Sequence, residues 1–192
     1  MSQSLTQVAQ RRSRAAEIAR QAALVVSASI FVAIAAHIYL PIPGTPVPLT
    51  MQNLAVLLVG LTLGSRRGFA AMMLYLAEGA IGLPVFSPTG VPGLMHLIGP
   101  TGGYLIAYPF VAAVAGYIFE RGKQSFARAA LAAVAGEVVL FALGISWLYV
   151  ITGSLVQAIS FGLYWFIFAE VIKVMMAAGA VRGWRGVFPH KN

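Results

Sequence analysis

Four ionisable side chains interrupt otherwise apolar stretches of this chain: Glu78, Glu137, Glu170 and Lys173. Each costs about 2.5 to 3.5 kcal/mol on a lipid-facing helix, so we expect all four to face a bundle interior. Glu170 and Lys173 are three residues apart, which places them on one helical face and close enough to pair. Such a pair can bind an acidic ligand, with Lys173 contacting a carboxylate and Glu170 accepting hydrogen bonds from N–H or O–H groups. A buried ion pair that only tethers its helix stays open as the alternative.

The other two carboxylates have less obvious roles. Glu137 lies well inside the fifth apolar stretch with no partner nearby in sequence, so we expect it to be protonated or bonded to a hydroxyl on another helix. Glu78 lies near the outer end of the third stretch, where water can solvate it. A proton path through these carboxylates stays open, although no series of His or Asp residues supports one.

Several kinds of chemistry are excluded by residue type. The chain has no cysteine, which rules out disulfides, thiolate catalysis and Cys-ligated metals. The three histidines, His37, His96 and His190, lack metal-ligand spacing. No G-x-x-x-x-G-K-[ST] motif for nucleotide phosphates is present, and no Ser-His arrangement accompanies a carboxylate. We therefore predict neither an enzyme nor a resident cofactor.

Composition and charge predict an integral membrane protein. With 59% apolar residues, 9% charged residues and a mean hydropathy of +0.84, the chain lacks the polar surface of a soluble globule. All but one of the 13 basic residues fall into four clusters, within 11–20, 66–67, 121–128 and 182–191. Positive clusters are retained on the cytoplasmic side, so both termini are predicted to be cytoplasmic. The net charge of +8 is assigned to topology and anionic lipid, and not to nucleic acid.

The apolar stretches predict an all-α protein with six transmembrane helices. A span needs about 20 residues, and the stretches lie near 22–40, 51–64, 68–83, 102–119, 129–150 and 162–181. We assign residues 1–21 to a basic cytoplasmic tail, residues 22–186 to the transmembrane substrate-binding domain and residues 187–192 to a cytoplasmic tail. The first tail is expected to be a surface helix or disordered.

Two outer turns carry unusual compositions. Pro41–Pro48 has four prolines in eight residues, which disfavours helix and favours a stiff, extended segment that can cover a cavity. Gly82–Gly103 is rich in Gly and Pro and predicts either a binding vestibule or an ordinary exposed loop. Gly60, Gly64 and Gly68 recur four residues apart, a spacing that lets helices approach closely in lipid.

Three motifs carry a resemblance to a known family: TPVPLTMQNLAVLLVG at Thr45–Gly60, GLPVF at Gly82–Phe86 and LIGPTGGYL at Leu97–Leu105. They resemble the BioY family, the substrate-binding S-components of energy-coupling factor (ECF) biotin transporters. The resemblance implies six helices, with the proline-rich outer loop covering a biotin site near the outer face. It also implies high-affinity biotin binding and uptake across the cytoplasmic (inner) membrane, with a membrane scaffold subunit and two cytoplasmic ATPases as partners.

The last helix of that family usually begins with Pro-Gly-Asp, followed by a pair such as Ile-Lys. Here Phe168–Lys173 keeps the acid and the lysine, loses Pro and Gly, and has Glu in place of Asp, so the helix is expected to start earlier than in relatives. The resemblance assigns ligand contact to Glu170 and Lys173. It assigns cavity-lining positions to Gln52, Phe86 and Tyr104.

A different class of function also stays open. A self-sufficient carrier for biotin or another small carboxylate could use an ion gradient, with Glu78 or Glu137 as the coupling site. The lipid bilayer is an expected partner in either case, and biotin is the expected ligand unless the carrier transports another small carboxylate. Self-association of the chain in the bilayer stays open as well.

Overall fold

The computed structural model describes the backbone of residues 2–187 and the side chains of residues 13–183, and it confirms the all-helical prediction. The helices are α1 (Ser2–Ala36), α2 (Gln52–Leu63), α3 (Ser65–Ala80), α4 (Leu94–Ile98), α5 (Gly102–Glu120), α6 (Phe126–Thr152), α7 (Leu155–Ile159) and α8 (Ile167–Val187). A π-helical turn, Ser160–Tyr164, follows α7. Strands β1 (Tyr39–Leu40) and β2 (Leu49–Thr50) pair antiparallel. Residues 188–192 of the predicted C-terminal tail lie outside the described residues.

Three of these helices are long and apolar enough to cross a membrane: Ser13–Ala36 within α1, and the whole of α5 and of α6. A fourth candidate consists of two pieces, Leu155–Tyr164 and Ile167–Gly183, that meet at an angle of 42°. Helices α2 and α3 have 12 and 16 residues, fewer than the roughly 20 that a perpendicular span needs. By length and composition the described chain therefore offers three or four spans, fewer than the six predicted.

The first helix differs from its prediction at both ends. Helix α1 is continuous from Ser2, so the described part of the predicted tail is helical and joins the first apolar stretch without a break. The helix ends at Ala36 instead of residue 40, because Tyr39 and Leu40 form a short ladder with Leu49 and Thr50. Pro41 disfavours helical geometry in the residue before it, which is consistent with the extended backbone there.

The prediction of one continuous helix over 162–181 is wrong, because the chain breaks at residues 165–166 and α8 begins at Ile167. The π-helical turn frees backbone carbonyls that must find partners away from water. The Phe161 carbonyl accepts a hydrogen bond from Thr45 Oγ1 at 2.7 Å, and the Gly162 carbonyl accepts one from the Tyr104 hydroxyl at 3.0 Å. The break is therefore stabilised by two side chains that are distant in sequence.

Close helix packing around α2, α3 and α5 depends on glycine. A Cβ on Gly60 would lie 2.5 Å from the Ala112 carbonyl oxygen, and one on Gly116 would lie 2.4 Å from the Ser65 backbone nitrogen. Gly64 joins α2 to α3 with φ of 83°, a conformation that L-residues rarely adopt. These contacts hold α2 against α5, and they thereby fix where the first turn of α2 lies relative to the rest of the bundle.

We predict that Gly116→Ala lowers the free energy of unfolding by about 1 to 3 kcal/mol, the usual cost of overpacking. The added methyl group meets backbone atoms of residues 60 to 65, which cannot move independently of two helices. Thermal unfolding in detergent measures the effect as a lower Tm. Gly179→Ala is the matched control, since a Cβ at this α8 position meets nothing within 4 Å. Equal Tm values for the two variants would contradict the packing argument.

Candidate functional site

A small cavity of about 50 Å³ lies between the proline-rich segment 41–48 and the helices beneath it. Val47 and Pro48 of that segment form part of its wall, as expected for a covering loop. Helices α2, α5, α6 and α8, the loop between α3 and α5, Thr50 of β2, Gly162 of the π-helical turn and Phe166 at the break contribute the rest. The polar side chains in its lining are Thr50, Gln52, Asn53, Ser87, His96, Thr101, Tyr104, Tyr108, Glu170 and Lys173.

The ion pair expected from sequence spacing is present in the wall of this cavity. Lys173 Nζ lies 2.6 Å from Glu170 Oε1, and the two residues are only 5% and 6% exposed. The break before α8 puts Glu170 in the first turn of that helix. A carboxylate there is stabilised by the positive end of the helix dipole, so the irregular backbone contributes directly to holding a buried negative charge.

Asn53 connects this pair to Glu137, a connection that the sequence analysis did not predict. Its Nδ2 donates to Glu170 Oε2 at 2.7 Å and to Glu137 Oε1 at 2.6 Å. Glu137 is buried in the bundle interior as expected, but it is bonded to an amide and not to a hydroxyl. The sequence did hold a signal for this connection, because Asn53 follows Gln52 directly before a long apolar run. An amide buried at that point requires polar partners from other helices.

Gln52 also lines the cavity, but its amide group is occupied by a neighbour. Gln52 Nε2 donates to the Tyr75 hydroxyl at 2.6 Å, and that hydroxyl donates to the Val85 carbonyl at 2.9 Å. This chain of hydrogen bonds ties the start of α2 to α3 and to the outer loop. Gln52 therefore positions the wall of the cavity, and its amide oxygen and second amide hydrogen are left to meet a ligand.

Phe86 is not among the cavity-lining residues, in contrast to its expected position. Its ring packs against Tyr75 at 5.4 Å and against His96 at 5.1 Å, measured between ring centroids. His96, one of the three histidines without metal-ligand spacing, reaches the cavity from this loop together with Ser87 and Thr101. Burial lowers the pKa of His96, so its imidazole is neutral near pH 7.

Tyr104 lines the cavity as expected, and the surrounding motif explains its position. Gly102 and Gly103 have no room for a Cβ, which would lie 1.8 Å from the Leu97 carbonyl oxygen and 2.2 Å from the Trp147 Cβ. The Trp147 indole N–H donates to the Gly99 carbonyl at 2.9 Å. The two glycines thus let α5 start directly against α6, and this contact directs Tyr104 toward Gly162.

Glu78 lies apart from the cavity. It is half-buried and accepts a hydrogen bond from the Ser29 hydroxyl, so it links α3 to α1. Of the four ionisable residues within apolar stretches, the structure brings together Glu137, Glu170 and Lys173 and leaves Glu78 outside. Within the described part of the chain, no group of three or more His, Asp or Glu side chains has an arrangement that could hold a metal ion.

The charge and hydrogen-bond inventory indicates which ligand group suits this cluster. Lys173 has three N–H donors, of which one meets Glu170, while the Asn53 Oδ1 atom is buried with no partner among the described residues. A single ammonium group faces two carboxyl groups, so a further anion is not favoured there. A neutral group that offers N–H donors and a carbonyl oxygen fits better.

Comparison with known proteins places this chain in one family. The BioY family profile matches residues 2–190. The chain is 38% identical to the biotin transporter BioY of Thermotoga maritima over 154 residues, which cover 80% of this chain and 90% of that protein. It is 41% identical to the biotin transporter BioY of Rhizobium etli over 143 residues, covering 69% and 75% of the two chains.

The fold is also found in a solved structure. A crystal structure of the S-component for biotin from an ECF-type ABC transporter matches with a TM-score of 0.80 and 25% identity, over 88% of this chain and 93% of that chain. The all-helical architecture described above is thus that of an ECF S-component. With a matching family profile, two curated relatives and a matching fold, the chain belongs to the BioY family.

Proposed function

We propose that this protein binds biotin with high affinity and takes it up across the cytoplasmic membrane as the S-component of an ECF-type importer. The names of its relatives and the fold it shares with the S-component for biotin support this function. The sequence has no nucleotide-binding motif of its own, in agreement with energy supplied by a partner. The partners that follow from this role are a membrane scaffold subunit and two cytoplasmic ATPases.

The observation that carries the proposal is the buried cluster of Lys173, Glu170 and Asn53 in the wall of a covered cavity. Biotin carries its carboxylate and its ureido ring at opposite ends, and these three side chains lie so close together that they can engage only one end. The ureido ring offers two N–H donors and one carbonyl oxygen. We assign Glu170 and Asn53 Oδ1 to the N–H groups and Lys173 to the carbonyl oxygen, in place of the carboxylate contact expected for Lys173 from sequence.

The remainder of the cavity suits the rest of the biotin molecule. Tyr104, Leu140 and Phe141 provide apolar surface for the fused rings, and the outer loop offers Ser87 and His96 for the carboxylate end. Ligand sites usually have volumes of roughly 300 to 1,000 Å³, well above the cavity of about 50 Å³ seen here. Binding therefore requires the proline-rich segment 41–48 to move outward.

The proposed topology has six spans with both termini in the cytoplasm. The shorter helices α2 and α3 would each cross beside longer neighbours, and the bent pair of α7 and α8 would count as one span. This arrangement puts the basic clusters at 66–67 and 121–128 on the same side as the termini. It places the loops at 41–48 and 84–100, which carry no charged residue, on the outer side.

We predict that Lys173→Met weakens biotin binding by about 10- to 150-fold, because a hydrogen bond to a charged group contributes roughly 1.5 to 3 kcal/mol. Titration calorimetry on the purified protein measures the change. Lys123→Met, at an exposed position between α5 and α6, is the control and should bind like the wild type.

The same variant tests which end of biotin occupies the cluster. The 2-imino analogue has a cationic group in place of the ureido carbonyl, so the wild type should bind it far more weakly than biotin. Lys173→Met should reduce the preference for biotin over the 2-imino analogue by at least tenfold, since the ammonium group that repels the cationic analogue is removed. The opposite outcome is an unchanged preference for biotin over the 2-imino analogue, together with an affinity for biotin amide that does not change in Lys173→Met. That result would show that Lys173 contacts the carboxylate instead.

We predict that Thr45→Val increases the dissociation rate of biotin by about fivefold, because losing the hydrogen bond that anchors the covering segment costs about 1 kcal/mol. The substitution also removes the bond that the Val47 backbone N–H donates to the same hydroxyl within the segment. The Thr45 hydroxyl fastens the covering segment to the Phe161 carbonyl, which would lose this partner. Chase experiments with labelled biotin measure the rate. Thr62→Val is the control, since the Thr62 hydroxyl bonds only within α2, to the Leu58 carbonyl. Equal dissociation rates would show that the segment does not retain the ligand.

Reconstitution into proteoliposomes separates the importer from the self-sufficient carrier. We expect ATP-dependent biotin uptake only when the scaffold subunit and the ATPases are present, because this chain has no motif for binding a nucleotide. Uptake by this protein alone that an uncoupler abolishes would contradict the proposed role and favour the ion-coupled carrier.

A further inference from the structure

Glu137 lies between two environments of opposite character. Its Oε1 accepts a hydrogen bond from Asn53, which faces the cavity, while its Oε2 is buried without a partner within the described residues. Glu137 also lines, together with Glu170, a second groove of about 970 Å³ between α6 and α8, whose other walls are mostly apolar side chains. In a membrane this groove opens toward hydrocarbon. Among the described residues, no side chain donates a hydrogen bond to Glu137 Oε2.

The two carboxyl groups of the cluster differ in how well they can carry a negative charge. Glu170 accepts from both Lys173 and Asn53 and lies in the first turn of α8. Glu137 has one donor and lies in the middle of α6, away from either helix end. The tyrosines beside these carboxyl groups, Tyr104 and Tyr108 on α5, bring no positive charge.

Electrostatics therefore places one proton on Glu137. Both carboxyl groups lie within 2.7 Å of the same amide nitrogen, and two like charges sharing a site cannot both be favourable. With Glu170 ionised and paired with Lys173, a charge on Glu137 would be buried with one neutral amide donor and no cation of its own, which is costly. A neutral Glu137 still offers a carbonyl oxygen to the Asn53 amide.

This arrangement fixes the orientation of Asn53. Its amide nitrogen has two hydrogens, and both are used, one by each carboxyl group. The Oδ1 atom is thereby left as the acceptor in the cavity wall. Without Glu137 the amide has only one anchor and can turn to present N–H instead, which would oppose the N–H groups of a ureido ring.

We propose that Glu137 is held as a neutral acid and acts as a positioning residue, which fixes Asn53 so that its Oδ1 selects ligands with N–H donors. The selection of ligands rests on the proposed function, whereas the protonation of Glu137 does not. The side chain has no contact with the ligand in this role. Its effect on binding must therefore pass through Asn53.

A double-mutant cycle tests this dependence. Glu137→Leu should weaken biotin binding by about 5- to 20-fold, because Asn53 loses one hydrogen bond and its fixed orientation. In an Asn53→Ala background the same substitution should change the affinity by less than about twofold, since coupled residues are not additive. Glu137→Gln, which keeps the carbonyl acceptor without a charge, should remain within about threefold of the wild type. Val134→Leu, in the wall of the same groove, is the control for packing effects.

Infrared spectroscopy tests the protonation separately. The purified wild type at neutral pH should show a C=O stretching band of a protonated carboxylic acid that is lost in Glu137→Gln. This measurement needs no ligand and uses a variant that preserves the shape of the side chain. The absence of the band in the wild type would overturn the assignment of a neutral Glu137.

The outcomes distinguish this inference from the proposed function. A wild type that does not bind biotin would overturn the proposed function, while the infrared band would still decide the protonation of Glu137. A wild type that binds biotin, with the same loss from Glu137→Leu in both backgrounds, would overturn the positioning role alone. Loss of binding in Glu137→Gln as large as in Glu137→Leu would do the same.

Discussion

The amide of Asn53 joins α2, α6 and α8 at one point, where it bonds to Glu137 and Glu170, and this buried contact depends on every neighbouring element being in place. Hydrocarbon cannot solvate a charge, so each polar atom at this depth must be satisfied by another side chain or by a ligand. Satisfied networks of this kind specify a unique arrangement, while partly satisfied ones are costly. Asn53 Oδ1, which has no partner in the part of the chain that the structure describes, is therefore informative about function.

Three features of the fold serve this cluster. The break at residues 165–166 puts Glu170 at a helix start, where its charge is stabilised. Gly60 and Gly116 permit the close approach of α2 and α5 that brings the first turn of α2 to the right depth. The proline-rich segment covers the cavity and is fastened by Thr45 to the π-helical turn, so the cover and the broken helix form one connected structure.

Sequence patterns predicted the regular helices well and the irregular ones poorly. The apolar stretch predicted for residues 102–119 corresponds to α5 at Gly102–Glu120, because hydropathy and the flanking Gly and Arg residues both mark its ends. The break before α8 has no comparable local signal. It depends on the hydroxyls of Thr45 and Tyr104, which donate hydrogen bonds to the freed carbonyls of Phe161 and Gly162 from more than 50 positions away in the chain. The expected cavity-lining position of Phe86 differs from the structure for a related reason. The GLPVF motif does not show which side of the loop faces the cavity.

The sequence by itself determined that the protein lies in a membrane, that it is helical, and that Glu170 and Lys173 pair. Composition and a spacing of three residues suffice for these conclusions, because membrane insertion and pairing along one helix depend on residues that are close together in the sequence. Only the tertiary structure decided that Glu137 joins the pair through Asn53, that Glu78 does not, and that His96 reaches the cavity in place of Phe86. These outcomes depend on how separate helices and loops approach one another, and no local pattern in the chain specifies that geometry.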